Sequence, residues 1–477
     1  MRKSRILSIT VTLCLCMTLL TGCDNGERYD VLLNIRGDIR AAAEYSAMLA
    51  KRLFASDAIS DTDDIFSKSL AEVSNANPEL FKGYVVDESF LFWLVSEYGD
   101  DAAHEILSFT GDSSSTDIWH EVTGNSLHVL WTMYCESVGM SYEGIGRTTY
   151  KECKSPDEVV MDFTGDLNFD DRVNCMRRLK SEGLNACFSK DILAEFESAD
   201  ILMINNECPY STGGTPIPGK AYTFRADPAN IKILNELSVD IAGIANNHMC
   251  DYGLDAVTDT VETFENAGIP YVGAGRNIDE AMRPWYFIAN GRKIAVVAAT
   301  QIERSYSYTK EATETTPGVL KTLNPDKFVS VIENAKAHAD TVIAFVHWGT
   351  EGVNRFEADQ VALARAFADA GADAIIGGHT HCLQGISYTD DVPVIYSLGN
   401  FWFSSTPTDG VNKRDTGISQ LIIDNAGNVK MCFIPCVQKD CQTYMASEDP
   451  EKSRILEYEE SISTWVTIDE DGYVIRK

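Results

Sequence analysis

Residues 341–381 read TVIAFVHWGTEGVNRFEADQVALARAFADAGADAIIGGHTH, and this stretch decides the fold class. It begins with a continuous apolar segment, 341–346, and ends with a second one, 372–377. Between them, residues 357–370 repeat apolar side chains at helical spacing. Two short apolar strands joined by one helix indicate parallel strands in a sheet that helices cover. The stretch therefore predicts an α/β protein.

The same alternation of strands and helices extends over most of the chain after Pro156. Further strands are predicted at 158–164, 201–205, 239–245, 271–274, 293–300 and 392–397, with helices at 228–237, 254–267 and 325–339. Near the end, the turn-forming segments 425–428 and 469–472 each separate two strand-like runs. Two C-terminal β-hairpins are therefore predicted.

Before Pro156 the pattern is helical, and strand signals are missing. Apolar residues recur at helical spacing over 31–53 and in several shorter segments that follow. At 477 residues the chain is long enough for two or three domains. The predicted organisation is an all-helical region of unknown role over 31–150, an α/β domain over 156–440 and a C-terminal β extension over 441–477.

The first residues have the three parts of an export signal: three basic residues within the first five, an uncharged apolar run over 6–20, and small residues after it. The apolar run is too short to span a bilayer comfortably. It ends in Leu20-Thr21-Gly22-Cys23, which resembles the lipobox of bacterial lipoproteins. We therefore predict a signal peptide over 1–22, a tether over 23–30, and an extracytoplasmic protein that Cys23 anchors to the cell membrane through lipid.

The protein is strongly acidic. Its 40 basic and 71 acidic residues give a net charge of −31, which becomes −34 when the predicted signal peptide takes three basic residues away. Such a surface repels nucleic acid, so no nucleic-acid partner is expected. A polyanionic substrate would need a local cationic site, which bound metal ions can supply. The acidic composition is equally well explained by solubility alone.

Five of the predicted strands end at polar side chains that can bind a metal ion. Because ligands of parallel α/β sheets bind beyond the carboxyl ends of the strands, these side chains are expected to gather at one edge of one sheet. A mixture of histidine, carboxylate and amide ligands suits zinc, manganese or iron better than calcium or magnesium. Any single motif is explained equally well by a buried turn whose hydrogen bonds are satisfied. The five motifs are Gly165-Asp166-Leu167-Asn168, Asn205-Asn206-Glu207, Asn246-Asn247-His248, His347-Trp348-Gly349 and Gly377-Gly378-His379-Thr380-His381.

The order of these motifs over 161–401, followed by Ser397-Leu398-Gly399-Asn400-Phe401, resembles the poly-γ-glutamate capsule synthesis (CapA) family, which is itself similar to calcineurin-like metallophosphoesterases. The resemblance implies a metallophosphoesterase-like layered α/β sheet domain with one or two divalent metal ions, Mn, Zn or Fe. It also implies a role in the synthesis, export or attachment of an anionic capsule polymer such as poly-γ-glutamate. A capsule synthase complex in the membrane is the implied protein partner.

The resemblance further implies two groups of metal ligands that share one carboxylate, Glu207. The ligands are Asp166 and His381 for one ion, and Asn247, His347 and His379 for the other. His248 would stabilise the transition state or protonate the leaving group. Arg172 is predicted to position an anion, although a surface salt bridge explains it equally well. Phosphoesterases generally begin with Asp-x-His, whereas this chain has Asn168 in place of that histidine.

Three hypotheses about function remain open at this stage. The chain is a capsule factor that binds or processes an anionic polymer, a stand-alone metal-dependent hydrolase of a cell-envelope phosphoester or amide, or a binding protein with a degenerate metal site. Two long polar loops, 211–219 and 301–318, follow predicted strands and are expected to overhang the site. Surface connections without such a role are the alternative for these loops.

Overall fold

The structure is a computed structural model that describes residues 81–82, 84, 88–107, 109, 117–139, 147–403 and 414–477. The predicted signal peptide, the tether and Cys23 lie outside the described residues. The chain divides into two compact units, one of Met1–Thr123 with Leu130–Ser141, the other of Gly124–Val129 with Tyr142–Lys477. Within the described ranges, no helix has the length and apolar character that crossing a membrane requires.

The first unit is helical where it is described. Its helices are α1 (Glu88–Tyr98), α2 (Asp100–Leu107), α3 (Ile118–Thr123) and most of α4 (Leu127–Val138). Its core is aromatic: Phe90 packs edge-to-face on Tyr134, with ring centroids 5.4 Å apart, and lies beside Trp131. Because aromatic rings bury a large apolar area per residue, a few of them can hold short helices together.

The second unit alternates strands and helices. Its strands are β1 (Arg147–Lys151), β2 (Glu158–Leu167), β3 (Ile201–Asn206), β4 (Ile241–Gly243), β5 (Tyr271–Val272), β6 (Ala274–Gly275), β7 (Trp285–Ala289), β8 (Arg292–Thr300), β9 (Gly318–Val319), β10 (Thr341–His347), β11 (Ala374–Gly378), β12 (Leu383–Thr389), β13 (Val392–Leu398), β14 (Asn400–Trp402), β15 (Asp415–Asp424), β16 (Val429–Lys439), β17 (Gln442–Met445), β18 (Val466–Ile468) and β19 (Val474–Arg476). Its helices are α5 (Asn174–Glu182), α6 (Leu184–Cys187), α7 (Lys190–Ser198), α8 (Lys232–Glu236), α9 (Leu254–Ala267), α10 (Ile278–Ala281), α11 (Asp326–His338), α12 (Ala358–Asp369) and α13 (Glu451–Ile462). Seven of the eight strands predicted from apolar segments are present, and the predicted strand at 271–274 is divided between β5 and β6, which belong to different sheets.

The main strands form two mixed sheets. Sheet 1 has the order β1-β7-β8-β10-β11-β13-β12, and sheet 2 has the order β17-β16-β15-β2-β3-β4-β5, with β14 beside β2. The prediction that the site gathers at one edge of one sheet is therefore wrong. Apolar segments indicate that a strand is buried on both faces, but they do not indicate which strand it pairs with.

Alternate residues of each central strand face different apolar layers. In β8, Val296 belongs to the core between the two sheets together with Phe163 of β2. Its neighbour Val297 faces the other way and packs with Phe328 of α11. Sheet 2 is likewise covered on its outer face, where Leu202 of β3 and α9 share a core. The unit is thus a layered α/β domain with helices outside and two sheets inside, which confirms the predicted fold class.

The C-terminal hairpins are present as predicted. β15 pairs with β16 in antiparallel register around 425–428, and β18 pairs with β19 around 469–472. β17 continues sheet 2 beside β16, so the predicted boundary at 440 falls in a turn between two strands of one sheet. At the other end, β1 pairs in parallel with β7, so the predicted boundary at 150 falls within the edge strand of sheet 1.

Glycines allow the strand ends that carry polar side chains to approach their neighbours closely. A Cβ atom at Gly165, before Asp166, would lie 2.1 Å from the carbonyl oxygen of Gly399. A Cβ atom at Gly377 would lie 2.0 Å from the carbonyl oxygen of Tyr396. Any larger residue would push these backbones apart. The Gly-Asp and Gly-Gly-His motifs thus have a packing reason as well as a chemical one.

Candidate metal centre

The six predicted metal ligands come from both sheets and meet in one pocket. Sheet 2 contributes side chains from the end of β2 and from the loops after β3 and β4, and sheet 1 contributes side chains from the end of β10 and from the loop after β11. Five of the six are buried, and His381 is partly exposed. The six are Asp166, Glu207, Asn247, His347, His379 and His381.

One group of ligand atoms surrounds His347. The ligand atoms of His347, Glu207 and His379 all lie within 4.8 Å of one another. The His347 Nε2 atom is 2.8 Å from Asn247 Oδ1, 3.1 Å from His379 Nδ1 and 3.5 Å from Glu207 Oε1. Four donor atoms from strand ends and the loops that follow them therefore face a common point.

A second group shares the Glu207 carboxylate. The ligand atoms of Asp166, Glu207 and His381 also lie within 4.8 Å of one another. His381 Nδ1 is 3.2 Å from Asp166 Oδ2, but without the alignment of a hydrogen bond. His379 and His381 both have positive φ angles, 98° and 57°, which L-residues adopt at a cost of about 1–3 kcal/mol each. The loop after β11 is thus held in a strained form that aims both imidazoles at the pocket.

Two unsatisfied atoms test whether this pocket fits metal ions. Glu207 Oε1 and His381 Nδ1 are buried and have no hydrogen-bond partner among the described residues. Such atoms are uncommon in folded proteins because they lose their hydration without compensation. Both belong to the proposed ligand groups, and imidazole, carboxylate and amide donors together suit Zn, Mn or Fe. The residues present therefore fit divalent metal ions.

The pKa shifts of the proposed ligands differ in direction from residue to residue. Burial lowers the pKa of His347 to about 3, and burial together with His347 holds the pKa of His379 well below its ordinary value. Neutral imidazoles keep the lone pair that a metal ion requires. Burial, with the charge of Asp166, raises the pKa of Glu207 well above its ordinary value. Burial would also raise the pKa of Asp166, but the neighbouring His381 outweighs it and lowers that pKa.

Asn205 is a residue of the pocket to which the sequence gave no role. Its Nδ2 atom donates to Asp166 Oδ1 at 2.7 Å and to Glu207 Oε2 at 3.2 Å, and it lies 3.3 Å from His347 Nδ1. One amide thus orients three proposed ligands, as partners of ligands commonly do in metal sites. Its position at the end of β3, two residues before Glu207, was the available signal.

His248 lies beside the ligands and is held by a carboxylate. Its Nδ1 atom is 2.7 Å from Asp251 Oδ2, and its Nε2 atom is 3.8 Å from Glu207 Oε1. Because an ionised carboxylate only accepts hydrogen bonds, Nδ1 carries a proton and Nε2 faces the pocket. Burial lowers the pKa of His248 although Asp251 acts in the opposite direction. The geometry places a proton-transferring group next to the proposed ligands.

Comparison with known proteins identifies the family. The model of the family described as bacterial capsule synthesis protein PGA_cap matches residues 160–405, more than half of the chain. The chain belongs to this family. The predicted CapA resemblance is thereby confirmed.

Two relatives and one solved structure illustrate the similarity. Capsule biosynthesis protein CapA of Bacillus anthracis is 34% identical over 214 residues, which cover 44% of this chain and 50% of that protein. PGA biosynthesis protein CapA of Bacillus subtilis is 31% identical over 296 residues, which cover 62% of this chain and 75% of that protein. The chain thus spans half the length of the first relative and three quarters of the second. The crystal structure of TT1561 of Thermus thermophilus is 10% identical, has a TM-score of 0.31, and is matched over 57% of this chain and 98% of that one.

In this PGA_cap chain, Arg172 has other partners than the pocket. It pairs with the buried carboxylate of Asp170 at 2.5 Å and donates to the carbonyl oxygen of Thr223, while 56% of its side chain is exposed. Its hydrogen-bond partners within the described residues include none of the six proposed ligands. This is the salt bridge that the sequence left as the alternative. Its proposed role as an anion-positioning residue gains no support from these contacts.

The replacement of histidine by Asn168 also has a local explanation. The Asn168 Oδ1 atom accepts a hydrogen bond from the backbone N–H of Asp170 at 2.9 Å. The Asn168 backbone N–H in turn donates to the carbonyl oxygen of Trp402. Asn168 therefore shapes the turn after β2, and the Asp166 group of this PGA_cap chain has one histidine, His381, in the described structure.

Two loops and two aromatic rings border the pocket. The first loop, residues 207–227, and the second loop, residues 301–317, meet where the Tyr308 hydroxyl donates to the carbonyl oxygen of Gly219. Phe224 lies 4.4 Å from His248, and Phe403 lies 4.5 Å from His381, between ring centroids. The two phenylalanines also contact each other edge-to-face. No sequence motif marked them, because single phenylalanines in loops carry no periodic signal.

Proposed function

We propose that the chain acts in the synthesis, export or attachment of an anionic capsule polymer of the poly-γ-glutamate class, and that its pocket is a metal-dependent hydrolytic site. Membership of the PGA_cap family and the names of the two CapA relatives support the first part. One observation carries the second: Glu207 belongs to both ligand groups, and its Oε1 atom is buried without a hydrogen-bond partner among the described residues.

In the proposed site, the ligand side chains hold the metal ions and His248 transfers protons. Divalent ions, when bound, would supply Lewis acidity and a water molecule of lowered pKa. The buried ligands hold such ions in place, and Asn205 fixes the orientation of Glu207. His248 presents the Nε2 lone pair to the space beside Glu207, where it can take up a proton from an attacking water molecule and then pass it to a leaving oxygen or nitrogen. Phe224 and Phe403 pack beside the imidazoles of His248 and His381.

We further propose that the protein works outside the cytoplasm, anchored to the membrane through Cys23 and associated with a membrane-bound capsule synthase. The apolar segment 6–20 and the lipobox-like residues Leu20 to Cys23 support this placement. Anchoring would hold the pocket near the site where a polymer emerges. The acidic surface makes cations bound in the pocket a suitable local attraction for a polyanion.

The test is metal analysis of the purified full chain, coupled to a screen of γ-glutamyl oligomers and phosphoesters. We expect bound Mn, Zn or Fe and metal-dependent cleavage of a γ-glutamyl amide or a phosphoester. Glu207→Gln should lose most of the metal. Glu459→Gln is the matched control, because Glu459 is fully buried in α13 and lies outside both ligand groups. A wild-type protein without bound metal in metal-supplemented buffer would refute the proposed site.

A further inference from the structure

Lys220 of the first loop is a partly buried lysine beside the pocket. Only 9% of its side chain is exposed. Its Nζ atom lies 2.5 Å from Asp251 Oδ1 and 3.7 Å from Glu303 Oε1, and it donates to the carbonyl oxygen of Asn247. Burying an ammonium group is costly unless it is paired and hydrogen-bonded, as it is here. One cation thus joins both loops to the segment that carries Asn247 and His248.

The first connection runs from Lys220 to His248 through Asp251. Lys220 binds Oδ1 of this carboxylate, while Oδ2 accepts from the Phe224 backbone N–H and faces His248 Nδ1, both at 2.7 Å. With each oxygen occupied, the carboxylate has little freedom to rotate. The imidazole that it holds is therefore fixed with Nε2 toward Glu207.

The second connection runs through the peptide group of Asn247. Its carbonyl oxygen accepts from Lys220 and from Thr309 Oγ1, the latter at 3.1 Å. Its side-chain Oδ1 faces His347 Nε2 at 2.8 Å. Because the backbone is tied at this carbonyl, the direction in which the side-chain amide projects is limited.

We propose that Lys220 is the positioning residue of the pocket, setting the orientation of His248 through Asp251 and that of Asn247 through its peptide carbonyl. The proposal rests on the proposed metal site and adds a residue that contributes no ligand atom to it. It identifies the first loop as part of the site's construction. Without Lys220, both the proton-transferring imidazole and the amide ligand would gain freedom.

Whether removing the Lys220 ammonium group raises or lowers the metal affinity shows whether Lys220 acts through its charge or by positioning its neighbours. A cation near a metal site repels the metal ion, so if Lys220 acted through its charge alone, its removal would strengthen metal binding. If Lys220 positions Asn247 and His248, its removal weakens binding, by about 10- to 100-fold as for other residues that orient ligands. The two effects have opposite signs, so one measurement decides between them.

The experiment is calorimetric titration of the full metal-free chain with Mn²⁺. Lys220→Met should weaken binding at least about tenfold, and Lys220→Arg, which keeps the charge and the donors, should restore most of the affinity. Lys310→Met is the matched control, since Lys310 lies on the second loop and its ammonium group donates to Tyr306 and Ser307. Unchanged or tighter binding by Lys220→Met would overturn the proposal. Melting curves without metal show whether each variant is folded, and if Lys220→Met is not, Lys220→Gln takes its place.

A second readout does not depend on metal. In ¹⁵N-histidine-labelled protein, the His248 signals, assigned by their loss in His248→Ala, should report a proton on Nδ1. Lys220→Met should convert this to a mixture of tautomers, whereas Lys310→Met should not. An unchanged His248 tautomer in Lys220→Met would refute the connection through Asp251. If the wild type binds no Mn²⁺, the proposed function fails, while the tautomer measurement still decides the role of Lys220.

Discussion

Neighbouring residues in the loop after β4 have different environments and therefore different expected roles. The Asn247 Oδ1 atom faces a ligand nitrogen of His347. The His248 ring instead faces Asp251 on one side and Glu207 on the other. Two adjacent side chains thus point to two different chemical tasks, and substitution can separate them.

We expect Asn247→Ala to lower the metal content, because it removes an oxygen ligand. His248→Ala should leave the metal content nearly unchanged but lower turnover by about 10²- to 10⁴-fold, the range for loss of a general acid. Metal analysis and rate measurement on the same samples check both. Equal metal loss in the two variants would contradict the assignment of roles, and full content in both would contradict the site.

Asp162 is a buried carboxylate away from the pocket, and it should make stability depend on pH. Burial, with the charge of Glu195, raises its pKa from 3.8 to about 8, although Gln420 donates to it. Between pH 3.8 and about 8, the folded state therefore keeps this proton, whereas the unfolded state has lost it. Its contribution to stability is fully present below pH 3.8 and is lost as pH rises through about 8.

Asp162→Asn should accordingly be more stable than the wild type at pH 9, and this advantage should shrink toward pH 5. The change in its relative free energy of unfolding between the two pH values should be on the order of a few kcal/mol. Denaturant unfolding at both pH values measures it. The exposed Asp157 provides the control variant, Asp157→Asn, whose stability should follow that of the wild type. A pH-independent effect of Asp162→Asn would count against this ionisation.

At the scale of elements, the turn between β7 and β8 is short and local, whereas the two long loops contact the residues of the pocket. β7 and β8 pair as a hairpin around Asn290-Gly291, a dipeptide that favours such turns, although this hairpin is not among those predicted from the sequence. Residues 211–219 and 301–318 were predicted to overhang the site. Thr309 of the second segment donates to the carbonyl oxygen of Asn247, and Lys220, directly after the first segment, donates to the same oxygen. Exposed tyrosines on these loops, Tyr222 and Tyr306, are therefore suited to contact a bound polymer.

A photo-reactive phenylalanine analogue placed at Tyr222 or at Tyr306 should crosslink to a labelled γ-glutamyl oligomer. The same substitution at Tyr473, which is also exposed but lies in the C-terminal hairpin region, should not. Gel analysis of the labelled oligomer reads out the result. Crosslinking from Tyr473 alone would favour the view that the loops are surface connections.

At the scale of the whole molecule, the helical region and the layered domain are predicted to be separable. β1 belongs to sheet 1 and forms its edge beside β7, although it lies before Pro156. A shortened chain that starts at Lys154 loses this strand and exposes the backbone of β7, whereas one that starts at Tyr142 keeps it. An uncovered strand edge invites aggregation.

The chain starting at Tyr142 should therefore melt at a higher temperature and remain more soluble than the chain starting at Lys154, while both should bind metal. Thermal melting and sedimentation of the two purified proteins check this. If the Tyr142 chain were insoluble with exposed apolar surface, the predicted separation of the two regions would be wrong.

Attachment of the whole molecule to the membrane is predicted to depend on Cys23. Cys23→Ser should yield an unprocessed or released protein, because the thiol that would receive the lipid is gone. Labelling of cells with a tagged fatty acid measures this, and Cys153→Ser, at a partly exposed free cysteine of the described structure, serves as the control. Fatty-acid incorporation that persists in Cys23→Ser would exclude lipid attachment at this residue.

The sequence by itself determined the α/β class, seven of the eight predicted strands, the C-terminal hairpins and the family. These features are local: an apolar segment, a turn or a motif is complete within a few residues. The sequence also identified the six proposed ligands, because each of them lies shortly after a predicted strand.

Only the tertiary structure decided that two sheets share the site, and that Asn205 and Lys220 lie against the side chains of both proposed ligand groups and of their neighbours. These features depend on contacts between distant segments, such as the hydrogen bond from the His379 backbone to Asp166 across 213 residues. Periodicity shows that a strand is buried but not which strand lies beside it. The direction of a side chain is fixed only when its neighbours are in place. The sequence therefore left Arg172 open between positioning an anion and forming a salt bridge, and the structure pairs it with Asp170.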